Sequence, residues 1–562
     1  MCHRAHRVSP SLAYGSVAFP LAPLPGVRVH ATLPPIGRFV PDGPVAFDAE
    51  GIAAAAARPR EMAHVVQHAA GHVGVALGGR PDPAAPGQDD LRWLATLPPL
   101  YPEWLGDRSF GATHGTRFPY IAGAMANGIA SVDLVVAMAR AGMIGFFGAA
   151  GLGLPRVEAA LVRLRAELGD LPWGVNLIHS PQEPLLEKGN VELFLAHGVT
   201  RVSASAYMKL TPPLVRYACT GLREEGGRIL RTNHVFAKIS RPETARHFLL
   251  PAPRNIVESL AREGLITLEE ARLAARVPVA EDVTVEADSG GHTDNRPLVG
   301  TFPTIARLRD QLVQEHGYTR AVRVGAAGGL GTPEGLAAAF AMGAAYVLTG
   351  SVNQSCVEAD LAPAAKDLLA QANVADVAMA PAADMFELGV EVQVLRRGTL
   401  FAARGHLLYA LYERHDSWEE IPAEARRKVE GDLFKSTVDD VWADTERFWS
   451  GRDPAQLERA ARDPKHKLAL LFRWYLGRAS RWAIEGTPGR VSDWQIWCGP
   501  AQGAFNAWAA GSFLAPAANR TVVQVARNLL EGAAVVTRAG QLRSYGAPVP
   551  SSAFSYVPRP LV

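Results

Sequence analysis

The chain has 562 residues, 48% of them hydrophobic, and a formal net charge of +2. That length exceeds one average domain but suits a single large barrel with extensions, and the apolar content is ample for a buried core. The near-neutral balance offers no basic face for nucleic acid, and no run of eighteen apolar residues offers a membrane span.

Four Cys (Cys2, Cys219, Cys356, Cys498) are scattered without a CxxC pair, and the opening MCHRAHRVSP has no apolar stretch after its charges. A soluble protein in a reducing, cytoplasmic setting is the expectation. Basic residues are nearly all Arg, with eight Lys among 57, so a Lys inside a strand stands out.

Residues 1–115 are rich in Pro, Gly and Ala and read as a loosely patterned N-terminal module. Within it, HVVQHAAGH sets His64, His68 and His72 one helical turn apart, a spacing that could make a metal face. No carboxylate or Cys accompanies them and Gly71 weakens a helix there, so the expectation is a plain surface helix and no metal site.

From residue 117 short β-rich runs alternate with amphipathic ones. The strand windows are 120–125, 143–148, 173–178, 201–205, part of 228–240, 283–287, 323–327 and 345–349. Eight βα units over roughly 240 residues predict an α/β fold, a TIM (β/α)8 barrel, assigned to 116–390 with a helical insertion at about 241–281. Beyond Ser355 the strand signal stops, and 391–562 reads as a helical C-terminal lid domain. Eight of the eleven Trp follow residue 400, either as the lid's core or as the wall of a channel above the barrel.

Barrel active sites lie at the strands' C-terminal ends. There the chain places GAMANG (Gly123, Ala124, Met125), Asn176, Lys238, the segment EADSGGHTDNRP with Gly290, Gly291 and His292, then Gly328 and Gly329, and finally Gly350 and Ser351. Small residues let backbone approach a flat ligand, and Gly-rich loops after strands seven and eight can grip a phosphate with N–H groups. Lys238 is either a cation aimed into the barrel mouth or a solvated strand-end lysine.

Together GAMANGIAS, WGVNLIHSP, FAKISRPE, EADSGGHTDNRP, AAGGLGTPEG and LTGSVNQ resemble the nitronate monooxygenase and enoyl reductase class of FMN barrels. With WQIWCGPAQGAFNAW they resemble, more narrowly, the PfaD family of polyunsaturated fatty acid and trans-acyltransferase polyketide synthases. The resemblance implies an FMN-dependent, NADPH-consuming reductase of 2-enoyl thioesters on an acyl carrier protein, partnered with such a synthase; a homodimer stays open. It implies flavin contacts at Gly123, Ala124, Met125, Asn176, Lys238, Gly290 and Gly291, phosphate contacts at Gly328, Gly329, Gly350 and Ser351, and His292 as acid/base. Where the broader class commonly reads EAGGH, this chain adds Asp288, Asp294 and Arg296 around the motif. That argues against carrying over nitronate oxidation and suggests a neighbouring carboxylate holding His292 protonated. A flavin nitronate oxidase and a non-catalytic docking protein remain the alternatives.

Overall fold

Eight parallel strands close a barrel in the computed structural model, which describes residues 33–181 and 183–561. They are β1 (Tyr120–Ala122), β2 (Ile144–Phe147), β3 (Gly174–Ile178), β4 (Arg201–Ser205), β5 (His234–Ile239), β6 (Asp282–Glu286), β7 (Arg323–Ala327) and β8 (Val347–Thr349). Each pairs with its chain neighbour, and Val347 opposite Tyr120 closes the ring. The expected barrel is therefore present, strand for strand. Both faces of these strands are covered, which is why they read as short continuous apolar runs. The helix Leu154–Leu168 shows the outer layer's logic: Val157, Ala160, Leu161, Leu164 and Leu168 form its buried stripe.

The barrel's lower end is plugged. Helix Arg108–His114, capped by Asp107, inserts Phe110 and His114 beneath the strands. His114 Nε2 lies 3.0 Å from Asp282 Oδ2, and Arg323 grips the same carboxylate at 2.6 and 2.8 Å. Above this layer Phe110, Phe146, Phe236 and Tyr346 fill the middle, with Tyr346 Oη 2.8 Å from Thr284 Oγ1. Gly325 is required here, because a side chain would strike the Tyr346 ring.

Three expectations are corrected. The HVVQHAAGH segment is a β-hairpin, Ala63–Gln67 against Val73–Ala76, in a five-stranded antiparallel sheet. His64 is buried on Thr96 (2.8 Å), while His68 and His72 sit at the exposed turn. The strand signal of Val65 and Val66 is too short to outweigh the His spacing. The part of the N-terminal module before residue 33 lies outside the described residues.

Strands also continue beyond Ser355. Val377–Pro381 and Glu391–Leu395 form an antiparallel pair, and Gly291–His292 adds as a third strand on the other edge of Glu391–Leu395. The two longer strands have five residues each, and the first is built from Ala, Met and Pro beside one Val, which carry little strand signal.

The last long helix, Val522–Ser544, expected in the lid, packs on helices Pro333–Ala341 and Val132–Arg140. That is the slot of the barrel's eighth helix. The chain leaves the barrel's outer helical layer after the short helix Ser351–Gln354, crosses the barrel mouth near residues 497–501, and rejoins that outer layer here. Gly532 allows the contact, since a side chain would meet Pro333. The helix's far end, with Ala539 and Leu542, enters the core of the N-terminal sheet. Among the described residues no helix is long and apolar enough to cross a membrane.

Candidate active site

The upper rim divides into a polar half and a small-residue half. On β3 to β6 the rim positions are Asn176, Ser205, Lys238 and Glu286. Asn176 is buried, with Nδ2 3.3 Å from Ser203 O and 3.4 Å from Ser205 Oγ. Lys238 Nζ donates to Glu286 Oε1 at 2.9 Å. Lys238 stands opposite Thr284 in the strand register, so the ammonium reaches one rung up to find its carboxylate. The cation is thus paired, with a quarter of its side chain still exposed. Glu286 is the partner that spacing alone did not single out, because its role depends on which strand lies beside β5.

On the other half, Gly123 N donates to Thr349 O at 2.8 Å, and Leu348 occupies the space a side chain there would need. The loop continues through Ala124 to Met125, which is buried. The next two loops differ in what their glycines do. Gly328 has φ +81°, and a side chain there would meet the Ala287 backbone at 2.6 Å, so packing alone demands glycine. Around Gly329 and Gly350 no protein atom lies within 4 Å of a side-chain position. These two faces are open. Thr332 caps helix Pro333–Ala341 through Gly335 N, and Ser351 Oγ accepts from Gly499 N at 2.9 Å.

Gly499 belongs to a strap, Trp497 to Ala501, that runs across the loops after β6, β7 and β8. Gly290 fits against the backbone of Cys498 and Gly499, with contacts of 2.8 to 2.9 Å from a side-chain position, and Gly331 meets Ala501 O. Gln354 donates to Trp497 O, and Gln393 donates to Asp288 Oδ1 and Ser289 O at 2.7 Å. The close approach that Gly290 permits is therefore to polypeptide. Gly291, at φ +82°, faces Trp497. Four of the eight lid tryptophans, Trp418, Trp449, Trp482 and Trp494, are buried in the lid's own core; Trp497 reaches the GGH loop.

His292 is held from outside the barrel. Its backbone pairs with Val392, and its Nε2 lies 3.3 Å from Asp384 Oδ1. Desolvation would raise the Asp384 carboxyl, although its side chain is 46% exposed, but the imidazole contact prevails and holds it below the usual carboxylate range. The carboxylates of the motif itself are engaged elsewhere: Asp288 on Gln393, and Asp294 on Arg241 (2.6 and 2.8 Å) and Ser240. The Arg241 hydrogen bonds pull Asp294 down to about 2. The carboxylate expected beside His292 exists, but it comes from a distant hairpin. Nearby, His179 and Tyr207 staple the loops after β3 and β4 to the buried Glu187, at 2.9 and 3.0 Å.

A family model described as nitronate monooxygenase matches residues 110–405, more than half of the chain, and defines the class of this barrel. A second, described as the inserted helical domain of [acyl-carrier-protein] S-malonyltransferase, matches residues 415–494 in the lid. The chain is 48% identical over 448 residues to a polyunsaturated fatty acid synthase polypeptide of Thraustochytrium sp., covering 78% of this chain and 30% of that protein. It is 44% identical over 436 residues to polyketide biosynthesis protein PksE of Bacillus subtilis, covering 77% and 56%. The chain thus spans about a third to just over half of these curated relatives. The enoyl reductase domain of MlnA from the macrolactin cluster of Bacillus amyloliquefaciens superposes with a TM-score of 0.74 at 37% identity, covering 79% of this chain and 98% of that one. Within the nitronate monooxygenase class, the chain belongs to the PfaD family.

Proposed function

We propose that the chain is an FMN-dependent enoyl reductase. It takes reducing equivalents from NADPH and reduces the α,β double bond of a 2-enoyl thioester carried on the acyl carrier protein of a polyketide or polyunsaturated fatty acid synthase. The observation that carries this reading is the likeness to an enoyl reductase domain, over nearly the whole of that domain, joined to a barrel mouth of matching design.

The residues present suit a flavin mononucleotide. Gly329 and Gly350 leave open faces at the ends of β7 and β8 where a phosphate could be met by backbone N–H groups, with Gly328 shaping the turn and the Ser351 hydroxyl beside them. Gly123, Ala124 and Met125 would lie against one side of the ring. Asn176 and Lys238 would meet its polar edge, with Gly290 and Gly291 closing the site through the strap. A flavin held by these residues would supply the hydride chemistry between NADPH and the β-carbon of the enoyl group. His292 would donate a proton to the α-carbon, so that enoyl thioester, NADPH and a proton give acyl thioester and NADP+. Lys238, already paired with Glu286, would place a compensated positive charge near the ring.

An anaerobic absorbance titration tests the reading. NADPH should bleach a flavin band, and a 2-enoyl thioester should restore it. A band that bleaches but returns only with oxygen would retain the cofactor and discard the substrate. Rapid oxygen consumption with an alkyl nitronate, without NADPH, would favour a nitronate oxidase, the activity for which the matching family model is described. A protein that stays colourless with added FMN would point to a docking role.

A further inference from the structure

We infer that Asp384 is the positioning residue of His292, fixing which ring nitrogen faces the substrate. The inference rests on the proposed reductase reading for its kinetic consequence but not for its structural one. His292 Nε2 is buried and has no well-aligned hydrogen-bond partner; Asp384 Oδ1, at 3.3 Å, is the polar group facing it. A small rotation of either side chain closes that contact into a hydrogen bond. With Nε2–H directed at the carboxylate, Nδ1 is the nitrogen left for the reacting thioester; the ring donates there as the imidazolium, through Nδ1–H, and returns to the neutral Nε2–H form.

Asp384 stands on a rigid support. The loop between strands Val377–Pro381 and Glu391–Leu395 is closed by Ala382 N on Val390 O at 2.8 Å. Phe386 anchors it, buried among Tyr409, Tyr412 and Phe472. Glu387 ties it to helix Pro464–Glu485 through Arg473, at 3.2 Å. The same hairpin supplies Val392, the backbone partner of His292. Ring and main chain are therefore set by one element outside the barrel, the arrangement that holds a reactive imidazole in a single orientation. The other carboxylates near this loop have partners of their own: Asp288 accepts from Gln393, Asp294 pairs with Arg241, and Glu387 with Arg473.

The test uses the full chain loaded with FMN, and Asp384→Leu and Asp384→Asn variants. Ring nitrogen NMR of the His292 signal, assigned by its loss in His292→Ala, reads the protonated nitrogen without any substrate. Wild type should carry the neutral-ring proton on Nε2; Asp384→Leu should shift the tautomer balance. In half-reactions, NADPH should bleach the Leu variant at the wild-type rate, while reoxidation by an enoyl thioester slows at least about tenfold in rate and little in KM. Asp384→Asn, which keeps an acceptor oxygen, should recover part of that loss. An unchanged ring signature in Asp384→Leu overturns the proposal. So does an equal slowing of both half-reactions, which would mark a merely structural residue. If wild type itself fails to use enoyl thioesters, the reductase reading falls while the ring signature still decides the role of Asp384.

Discussion

Lys238 and Glu286 stand at the ends of adjacent strands with 2.9 Å between Nζ and Oε1, so the one strand-borne lysine of the barrel mouth has its counter-ion built in. Both side chains are mostly buried, at 25% and 16% exposure, so the pair interacts more strongly than a surface salt bridge would. Replacing Glu286→Gln leaves the ammonium uncompensated. A unit charge about 5 Å away at an effective dielectric of about 20 contributes about 3 kcal/mol, tens of millivolts for a two-electron couple. The reduction potential of bound flavin should rise by that order in Glu286→Gln and fall in Lys238→Met, read by dye-coupled potentiometry.

His292→Ala should separate the two half-reactions. Bleaching by NADPH should persist, while enoyl-dependent return of the band falls by about 10²- to 10⁴-fold, the range a positioned proton donor supplies. Unaltered turnover would remove His292 from the chemistry.

The glycines at the ends of β7 and β8 should sort by what surrounds them. Gly350 has negative φ and open space, so Gly350→Ala should leave the melting temperature of the cofactor-free protein within a few degrees yet weaken FMN binding at least about tenfold. Gly328→Ala must both strain a φ of +81° and collide with Ala287. It should lower the melting temperature of the cofactor-free protein as well. Calorimetry and fluorescence titration of FMN separate the two.

The plug beneath the barrel should make stability depend on pH. Burial pushes the His114 and His234 imidazoles below their ordinary value, with Asp282 opposing the effect. Their folded-state pKa values lie below the unfolded one, so the unfolded chain binds more protons as pH falls. Stability is then full above about 6.5 and declines below it. Melting temperatures between pH 8 and pH 5 should fall on the acid side, less steeply in His234→Gln. Arg323→Met, which strands the buried Asp282 carboxylate, should cost about 3–5 kcal/mol, measured by urea denaturation.

The barrel and most of its rim are legible in the sequence because both depend on local order. Each strand is a short apolar run followed by a helical one, and the glycines that end β7 and β8 sit where their strands stop. What stays hidden depends on contacts between distant segments. Asp384 lies in an Ala- and Pro-containing hairpin turn with no signal of its own, and only the pairing of His292 with Val392 brings it to the imidazole. Gly290 reads in sequence as a contact for a flat ligand, whereas the space it opens is filled by Cys498 and Gly499. A glycine announces close approach but not what approaches. The final helix reads as lid because Val522–Ser544 is buried around most of its girth, and an all-round apolar pattern does not say which layer covers it.

The position of that helix bears on how the chain assembles. By Thr349 all eight strands have been made, yet the outer seam between β8 and β1 is covered only when Val525, Leu529 and Ala533 arrive. During synthesis the sheet therefore waits, with one apolar flank bare, while the whole lid is translated. Completion of the barrel is thus tied to completion of the lid, and a chain stalled inside the lid would leave the ribosome with neither.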